Sequence, residues 1–225
     1  MKIHKSILCG SLALAYVSSA TIASAEIITE PTRTFTVNVD IDDPADPPNV
    51  FLQTINDSAI LSLTRVEVGL HLVGTPTGNG FASDMFVSLN KDFGLTSILL
   101  NRVGISESDD TGFFYDGWDV TFQDGAANGD IHTFDFESGV LTGAYEPDGR
   151  TSPLDTVRTS LLDVFNGGTG NGDWRLAVGD LSEFGQMRLV DWSLTLEGET
   201  VVPEPTSLSL LGLGALVLMM KRRRG

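Results

Sequence analysis

The segment GDWRLAVGDLSEFGQMRLVDWSLTLE, residues 172–197, carries the clearest structural signal in this 225-residue chain. Apolar and polar residues alternate in two short runs, one containing Trp174 and the other Trp192. Period-two alternation is typical of a β-strand with one buried and one solvated face. The polar run between them, with Gly185 as a turn residue, indicates a loop. We therefore predict two antiparallel strands that form the closing hairpin of a β-sandwich, with both tryptophans in its core.

Short alternating runs recur along the rest of the chain, separated by turn-forming residues. The pattern predicts one all-β domain, an antiparallel β-sandwich at 58–200, with 26–57 as a lead-in and first strand. A shift in the apolar register near Thr64 predicts a β-bulge. Leu154–Phe165 has helical spacing over one or two turns. The other predicted strands are Phe35–Val39, Leu61–Leu72, Asp84–Leu89, Thr96–Leu100, Trp118–Phe122 and one or two within Phe134–Tyr145.

The N-terminus has the pattern of a secretory signal peptide, residues 1–25. Two lysines precede an apolar run, and the small residues Ala23 and Ala25 mark a cleavage site before Glu26. The only cysteine, Cys9, lies within this segment. The mature chain therefore has no disulfide, and its stability must come from its core, with or without a metal ion.

The mature region is strongly acidic. Residues 26–200 contain eight Lys and Arg against 29 Asp and Glu, a net charge of −21. Such a surface repels nucleic acid and anionic lipid. We therefore exclude a nucleic-acid partner. The charge suits an exported soluble protein or one that binds divalent cations.

The C-terminus has three parts in order. Pro203, Glu204 and Pro205 precede an apolar run, Leu208–Met220, which is followed by a basic end containing Arg222, Arg223 and Arg224. Thirteen helical residues span roughly 20 Å, less than the roughly 30 Å of a bilayer core. Basic residues favour the cytoplasmic side. The pattern predicts a short transmembrane helix that anchors an external domain in the inner membrane.

These three parts at residues 201–225 resemble the PEP-CTERM sorting signal of Gram-negative bacteria. The resemblance implies recognition by an exosortase-type membrane protease and cleavage near the Pro-Glu-Pro motif. Release to the cell surface or to an exopolysaccharide matrix would follow. An ordinary tail anchor is the alternative.

The domain itself resembles the P domain, or Homo B, the non-catalytic β-sandwich that accompanies subtilisin-like proprotein convertases and bacterial subtilases. Its pattern G-x-W-x-L-x-V-x-D matches Gly172–Asp180, and its later W-x-L matches Trp192–Leu194. An alternating strand ending at His71, with Asp84 before the next strand, also fits, although their separation of thirteen positions exceeds that of the family. The resemblance covers 58–197 and implies a jelly roll of the galactose-binding-like type.

Calcium is the cofactor that the resemblance and the residue types suggest, because some P domains bind it and it prefers oxygen ligands in loops. The alternative is that these carboxylates are solvated turn residues. The candidate ligands are Asp84, Asp116, Asp119, Asp124 and Asp130.

We expect no enzymatic activity. The mature chain has only two histidines, His71 and His132, and Ser152 in a faintly subtilase-like segment is expected to lie in a turn. The aromatic run 113–115 and Trp118 suggest an exposed binding patch. The predicted role is to bind a protein or polysaccharide partner at the surface or in the matrix. The alternatives are an accessory role in subtilisin-like serine-type proteolysis and a purely structural matrix component.

Overall fold

Ten β-strands make up most of the part of the chain that the computed structural model describes, residues 24–42, 47–75, 81–136, 139–183 and 185–202. Residues 25–201 belong to one compact unit. Three short 3-10 helices lie at Ala82–Asp84, Ile131–Thr133 and Leu162–Phe165. The strands are β1 Ser24–Thr29, β2 Arg33–Asp40, β3 Asn49–Ile55, β4 Ser62–Gly74, β5 Met85–Lys91, β6 Leu95–Asn101, β7 Gly117–Phe122, β8 Val140–Tyr145, β9 Gly172–Asp180 and β10 Met187–Val202.

The strands form two sheets with the core between them. The larger sheet has the order β1-β10-β4-β7-β8, with β2 also paired to β10. The smaller sheet has the order β3-β9-β5-β6, and its pairs are antiparallel. This arrangement confirms the predicted all-β, two-sheet class. One pair departs from the antiparallel prediction, because β7 and β8 run parallel.

The predicted closing hairpin is wrong. The two tryptophan strands, β9 and β10, lie in different sheets. Trp174 on β9 and Trp192 on β10 are both fully buried, as predicted. Two amphipathic strands can cover their apolar faces by facing each other across a core, and their alternation is the same as in a hairpin. The sequence pattern therefore cannot separate the two arrangements.

Two strands were not predicted. The segment treated as a lead-in contains β1, and β3 lies in a stretch without a strand prediction. β3 has three consecutive apolar residues, Val50–Leu52, which obscures its alternation, although its burial still alternates up to Thr54. The helical spacing over 154–165 produces only the 3-10 turn Leu162–Phe165.

The β-bulge predicted near Thr64 is confirmed. Glu197 pairs with Arg65 and the next residue, Gly198, pairs with Leu63, so Thr64 is the extra residue of β4. A Cβ atom at Gly198 would clash with the carbonyl oxygen of Ser62. The glycine therefore allows the two strands to approach closely at this irregularity.

Several predictions fall on residues outside the described ranges. These are the signal-peptide residues through Ala23, the motif residues 203–205, the apolar run 208–220 and the basic end. Ala25 is described and lies in β1. Among the residues that the structure does describe, no helix is long and apolar enough to cross a membrane.

Candidate functional site

A cluster of buried ionic side chains lies beside β6 and after β8. Its anchor is Asp148, which is 0% exposed. The chain after β8 adds to the outer edge of β6, because the amide of Asp148 donates to the carbonyl of Leu99 at 3.0 Å and that of Gly149 donates to Ile98 at 2.9 Å. This backbone pairing fixes the Asp148 carboxylate within the protein.

His132, in the 3-10 helix Ile131–Thr133, binds this carboxylate. Its Nδ1 lies 2.6 Å from Oδ2 of Asp148, and its Nε2 lies 3.0 Å from the carbonyl oxygen of Ile105. Both partners are acceptors, so both ring nitrogens must carry a proton. Burial lowers the pKa of His132, but the Asp148 carboxylate outweighs burial and raises the pKa above its ordinary value. The fold therefore favours the charged form of the ring, and both of its nitrogens are bonded to acceptors.

Arg150 joins the same carboxylate to Asp130. Its Nη2 lies 2.6 Å from Oδ2 of Asp130, its Nη1 lies 3.2 Å from Oδ1 of Asp148, and its Nε donates to the carbonyl of Asp155. Burial raises the pKa of Asp130, but the hydrogen bond from Arg150 dominates and the pKa lies below its ordinary value. The donors of this guanidinium are thus committed within the protein.

A third cation completes the cluster. Arg158 donates from Nη1 to Oε2 of Glu146 at 2.6 Å and from Nε to the carbonyl of Asp148 at 3.0 Å. The three cations His132, Arg150 and Arg158 therefore balance the three carboxylates of Asp130, Asp148 and Glu146. Buried charges are tolerated when they are paired and hydrogen-bonded in this way.

An open cleft of about 540 Å³ lies over this cluster. His132 and Arg150 are only 6% and 7% exposed, whereas Leu154 on the same cleft is 53% exposed. Because the buried cations are already bonded, the cleft offers a ligand mainly its hydroxyl, carboxylate and apolar side chains. The residues that line it are Ile105, Ser106, Glu107, His132, Arg150, Pro153, Leu154, Asp155 and Thr156.

The structure does not gather the five predicted calcium ligands. Asp84 ends the 3-10 helix before β5 in the smaller sheet. Asp116 and Asp119 are exposed, the first immediately before β7 and the second within it. Asp124 follows β7 and accepts a hydrogen bond from the amide of Leu162. Asp130 is occupied by Arg150, as described above. In the described ranges, no group of three or more His, Cys, Asp or Glu side chains is arranged to hold a metal ion. Calcium binding stays a prediction.

The predicted aromatic patch is mostly buried. Trp118 and Tyr115 are 0% and 1% exposed, and their rings pack edge to face with centroids 6.1 Å apart. Phe114 is exposed and contacts Phe81. The prediction of a patch that includes Trp118 is therefore wrong, and Phe114 is the exposed member of the run.

The residues considered for catalysis have hydrogen-bond partners of their own. Ser152 lies in a turn, where its hydroxyl accepts from the amide of Leu154 and its own amide donates to Asp155. His71 lies on the larger sheet, with Nδ1 3.4 Å from Oδ2 of Asp191. The members of the cluster that sequence reasoning missed are Glu146, Asp148, Arg150 and Arg158. All four lie outside the strands and 3-10 helices, where no periodicity indicates burial.

Comparisons with known proteins address mainly the C-terminus. A family model described as the PEP-CTERM protein-sorting motif matches residues 201–224. No curated protein matches the chain significantly. A solved structure, the crystal structure of the Aeromonas sobria serine protease (ASP) in complex with the chaperone ORF2, is similar at 16% identity and a TM-score of 0.44. The match covers 77% of this chain and 27% of that chain, so this chain spans about a quarter of its length. The protein thus carries a PEP-CTERM sorting motif, which implies export and processing by an exosortase at the membrane.

Proposed function

We propose that the chain is an exported, non-catalytic β-sandwich of the P-domain, jelly-roll type that exosortase processing delivers to the cell surface or extracellular matrix. There it binds a protein or polysaccharide partner. The observation that carries the proposal is the position of the sorting motif. Its match begins at Val201, within β10, a strand that is hydrogen-bonded to β4 on one side and to β1 and β2 on the other.

This position suits removal of the signal without loss of the domain. β10 ends at Val202, and the next residue, Pro203, cannot donate a ladder hydrogen bond. Cleavage near Pro203–Glu204–Pro205 therefore leaves β10 complete. Its partner β1 is held near its C-terminal end, where the amide of Glu30 donates to the carbonyl of Leu196 and Thr29 donates to Glu197. Signal-peptide cleavage before Glu26 would remove only the first two residues of β1.

The absence of catalysis is also part of the proposal, and the ionic cluster supports it. A histidine that acts as a general base needs a free nitrogen within hydrogen-bond distance of its proton donor. In His132 both nitrogens are bonded to acceptors, and Ser152 is bonded within its own turn. The P-domain assignment rests on the two-sheet fold together with the matched residues of β9 and β10. The charge of −21 at residues 26–200 favours a partner that is not polyanionic.

The experiment compares the full chain in a host with an exosortase and in the same host lacking it. Antibodies against the domain should detect a shortened protein at the surface or in the medium of the first host. They should detect a longer, membrane-retained protein in the second. Replacing Pro203, Glu204 and Pro205 with alanine should reproduce the longer form in the first host. An identical mass and location in all three samples would overturn the proposal.

A further inference from the structure

The tip of the β5–β6 hairpin has an unusual residue in a constrained turn. Asp92 and Phe93, the central residues between β5 and β6, have φ angles of 51° and 59°. Positive φ at both positions is the requirement of a type I′ turn, which strongly favours Asn-Gly or Asp-Gly. A bulky side chain in this region is strained, and such strain persists where the surrounding structure or a function maintains it.

The Phe93 side chain is also displayed rather than buried. It is 81% exposed, the highest value among the exposed large apolar residues of the described chain. The guanidinium carbon of Arg175 lies 3.3 Å from the centroid of its ring. Arg175 is itself held by Asp173, with Nη2 2.9 Å from Oδ2. One face of the ring therefore rests on a fixed cation, and its high exposure leaves the other face available to solvent.

The strand register identifies the surroundings of this ring. Arg175 on β9 lies directly opposite Leu52 on β3 and opposite Asn90 on β5. Leu52 is 49% exposed, and its neighbour on the same face, Val50, is 58% exposed. Polar side chains border the apolar strip formed by Val50 and Leu52. Asn90 donates a hydrogen bond to Thr96, and Thr54 donates one to Asp173. The outer face of the smaller sheet thus combines one open aromatic ring with a polar border.

We propose that this face, centred on Phe93, binds a neutral polysaccharide. The C–H face of a sugar ring can pack on an open aromatic ring while its hydroxyl groups bond to carboxylate, amide and hydroxyl side chains at the border. The charge of −21 at residues 26–200 disfavours an anionic polymer. This inference rests on the proposed function. It assigns a binding site to the polysaccharide, one of the two kinds of partner named there.

A protein partner fits this face less well. The centre of a protein interface is depleted of Asp, Glu and Lys, and a stable interface covers about 800 Å² on each partner. Here the carboxylate of Asp173 is bonded to Arg175, whose guanidinium contacts the exposed ring. A polar ligand that bonds to such groups is the better match.

The test is affinity electrophoresis of the processed protein, recovered from the exosortase-containing host. The native gels contain hydroxyethylcellulose, dextran, galactomannan or the anionic polymer alginate. We expect retardation in at least one neutral gel and none in alginate. Phe93→Gly should weaken that retardation at least tenfold. Its melting temperature should equal or exceed that of the wild type, because glycine relieves the strained turn. Phe114→Ala, which removes the other exposed phenylalanine described above, should migrate as the wild type does.

The alternative outcomes separate the site from the function. If the wild type is retarded and Phe93→Gly is retarded equally, the site is overturned and the polysaccharide-binding function stands. If no neutral gel retards the wild type, both fail, while export and processing are judged by their own experiment. A clear fall in the melting temperature of Phe93→Gly would show that the ring serves folding, which overturns the inference. Stronger retardation in alginate than in the neutral gels would also overturn it.

Discussion

The tryptophan core and the centre of the ionic cluster are both buried but opposite in chemistry. Trp174 and Trp192 are 0% exposed, as is Asp148, and His132 is 6% exposed. The core is stabilised by removing apolar surface from water, which amounts to about 150–250 Å² for each aromatic side chain. The cluster is stabilised only while every charge keeps its partner. The two regions should therefore respond differently to the loss of one group.

The largest effect is expected in the cluster. Asp148→Ala leaves the buried His132 and Arg150 cations without a shared carboxylate, and breaking a buried pair in this way costs about 3–5 kcal/mol. Urea denaturation monitored by tryptophan fluorescence measures this loss. Asp57→Ala is the matched control, because Asp57 is 74% exposed and pairs with Arg33 at the surface. Its cost should stay within about 1 kcal/mol. Equal losses of unfolding free energy in Asp148→Ala and Asp57→Ala would contradict the special dependence of the cluster on paired charges.

The same contrast explains what the sequence could reveal. Alternation placed Trp174 and Trp192 inward correctly, because burial of one strand face leaves a period of two in the sequence. It could not show that their strands belong to different sheets, since pairing is not encoded in the alternation of a single strand. Nor could it reveal the cluster. His132 and Asp148 lie sixteen positions apart, the first in a single 3-10 turn and the second in an irregular segment, and neither leaves a periodic pattern in the sequence.

Trp118 shows where a stronger sequence signal was available. It shares one strand face with Val120 and Phe122, and all three are buried. The alternation of β7 therefore indicated burial. The prediction of exposure relied instead on the neighbouring acidic loop. Proximity to charged residues in sequence does not determine which face of a strand a side chain occupies.

A second prediction concerns pH and again separates the cluster from the rest of the protein. The folded state raises the pKa of His132, so its stabilising contribution is complete below the ordinary pKa of about 6.5 and is lost as pH rises through the folded value. The free energy of unfolding should therefore decline above about pH 6.5. Urea titrations between pH 5.5 and 9 should show the decline in the wild type and a flatter profile in His132→Gln. His71→Gln, which changes the partly buried histidine on β4, should show the same decline as the wild type. If the decline disappeared in His71→Gln, the pH dependence would not come from His132.

A third prediction applies the contrast within the core. The indole N–H of Trp174 donates to the carbonyl of Gly170 at 3.2 Å, whereas that of Trp192 has no hydrogen-bond partner among the described residues. Trp→Phe creates a similar void at either position. At Trp174 it also leaves the Gly170 carbonyl unsatisfied, at a cost of about 1–3 kcal/mol. Chemical denaturation should therefore find Trp174→Phe less stable than Trp192→Phe by about that amount. The reverse order would show that packing differences, not hydrogen bonding, dominate.

The smallest expected effect is that of calcium, and it contrasts two of the predicted ligands. The Asp130 carboxylate is paired with Arg150, whereas Asp124 accepts from the amide of Leu162 and has no ion pair with a cation among the described residues. Burial raises the pKa of Asp124, and the nearby carboxylates of Asp163 and Glu146 act in the same direction.

If calcium binds at Asp124 with a dissociation constant of about 10⁻⁴–10⁻³ M, as in extracellular modules, 1 mM calcium stabilises the fold by about 0.4–1.4 kcal/mol. Melting temperatures in EDTA and in 1 mM calcium should then differ in the wild type but not in Asp124→Asn. Asp57→Asn should retain the difference, because its carboxylate belongs to the surface pair with Arg33. Identical melting temperatures of the wild type in both buffers would remove calcium from the description of this domain.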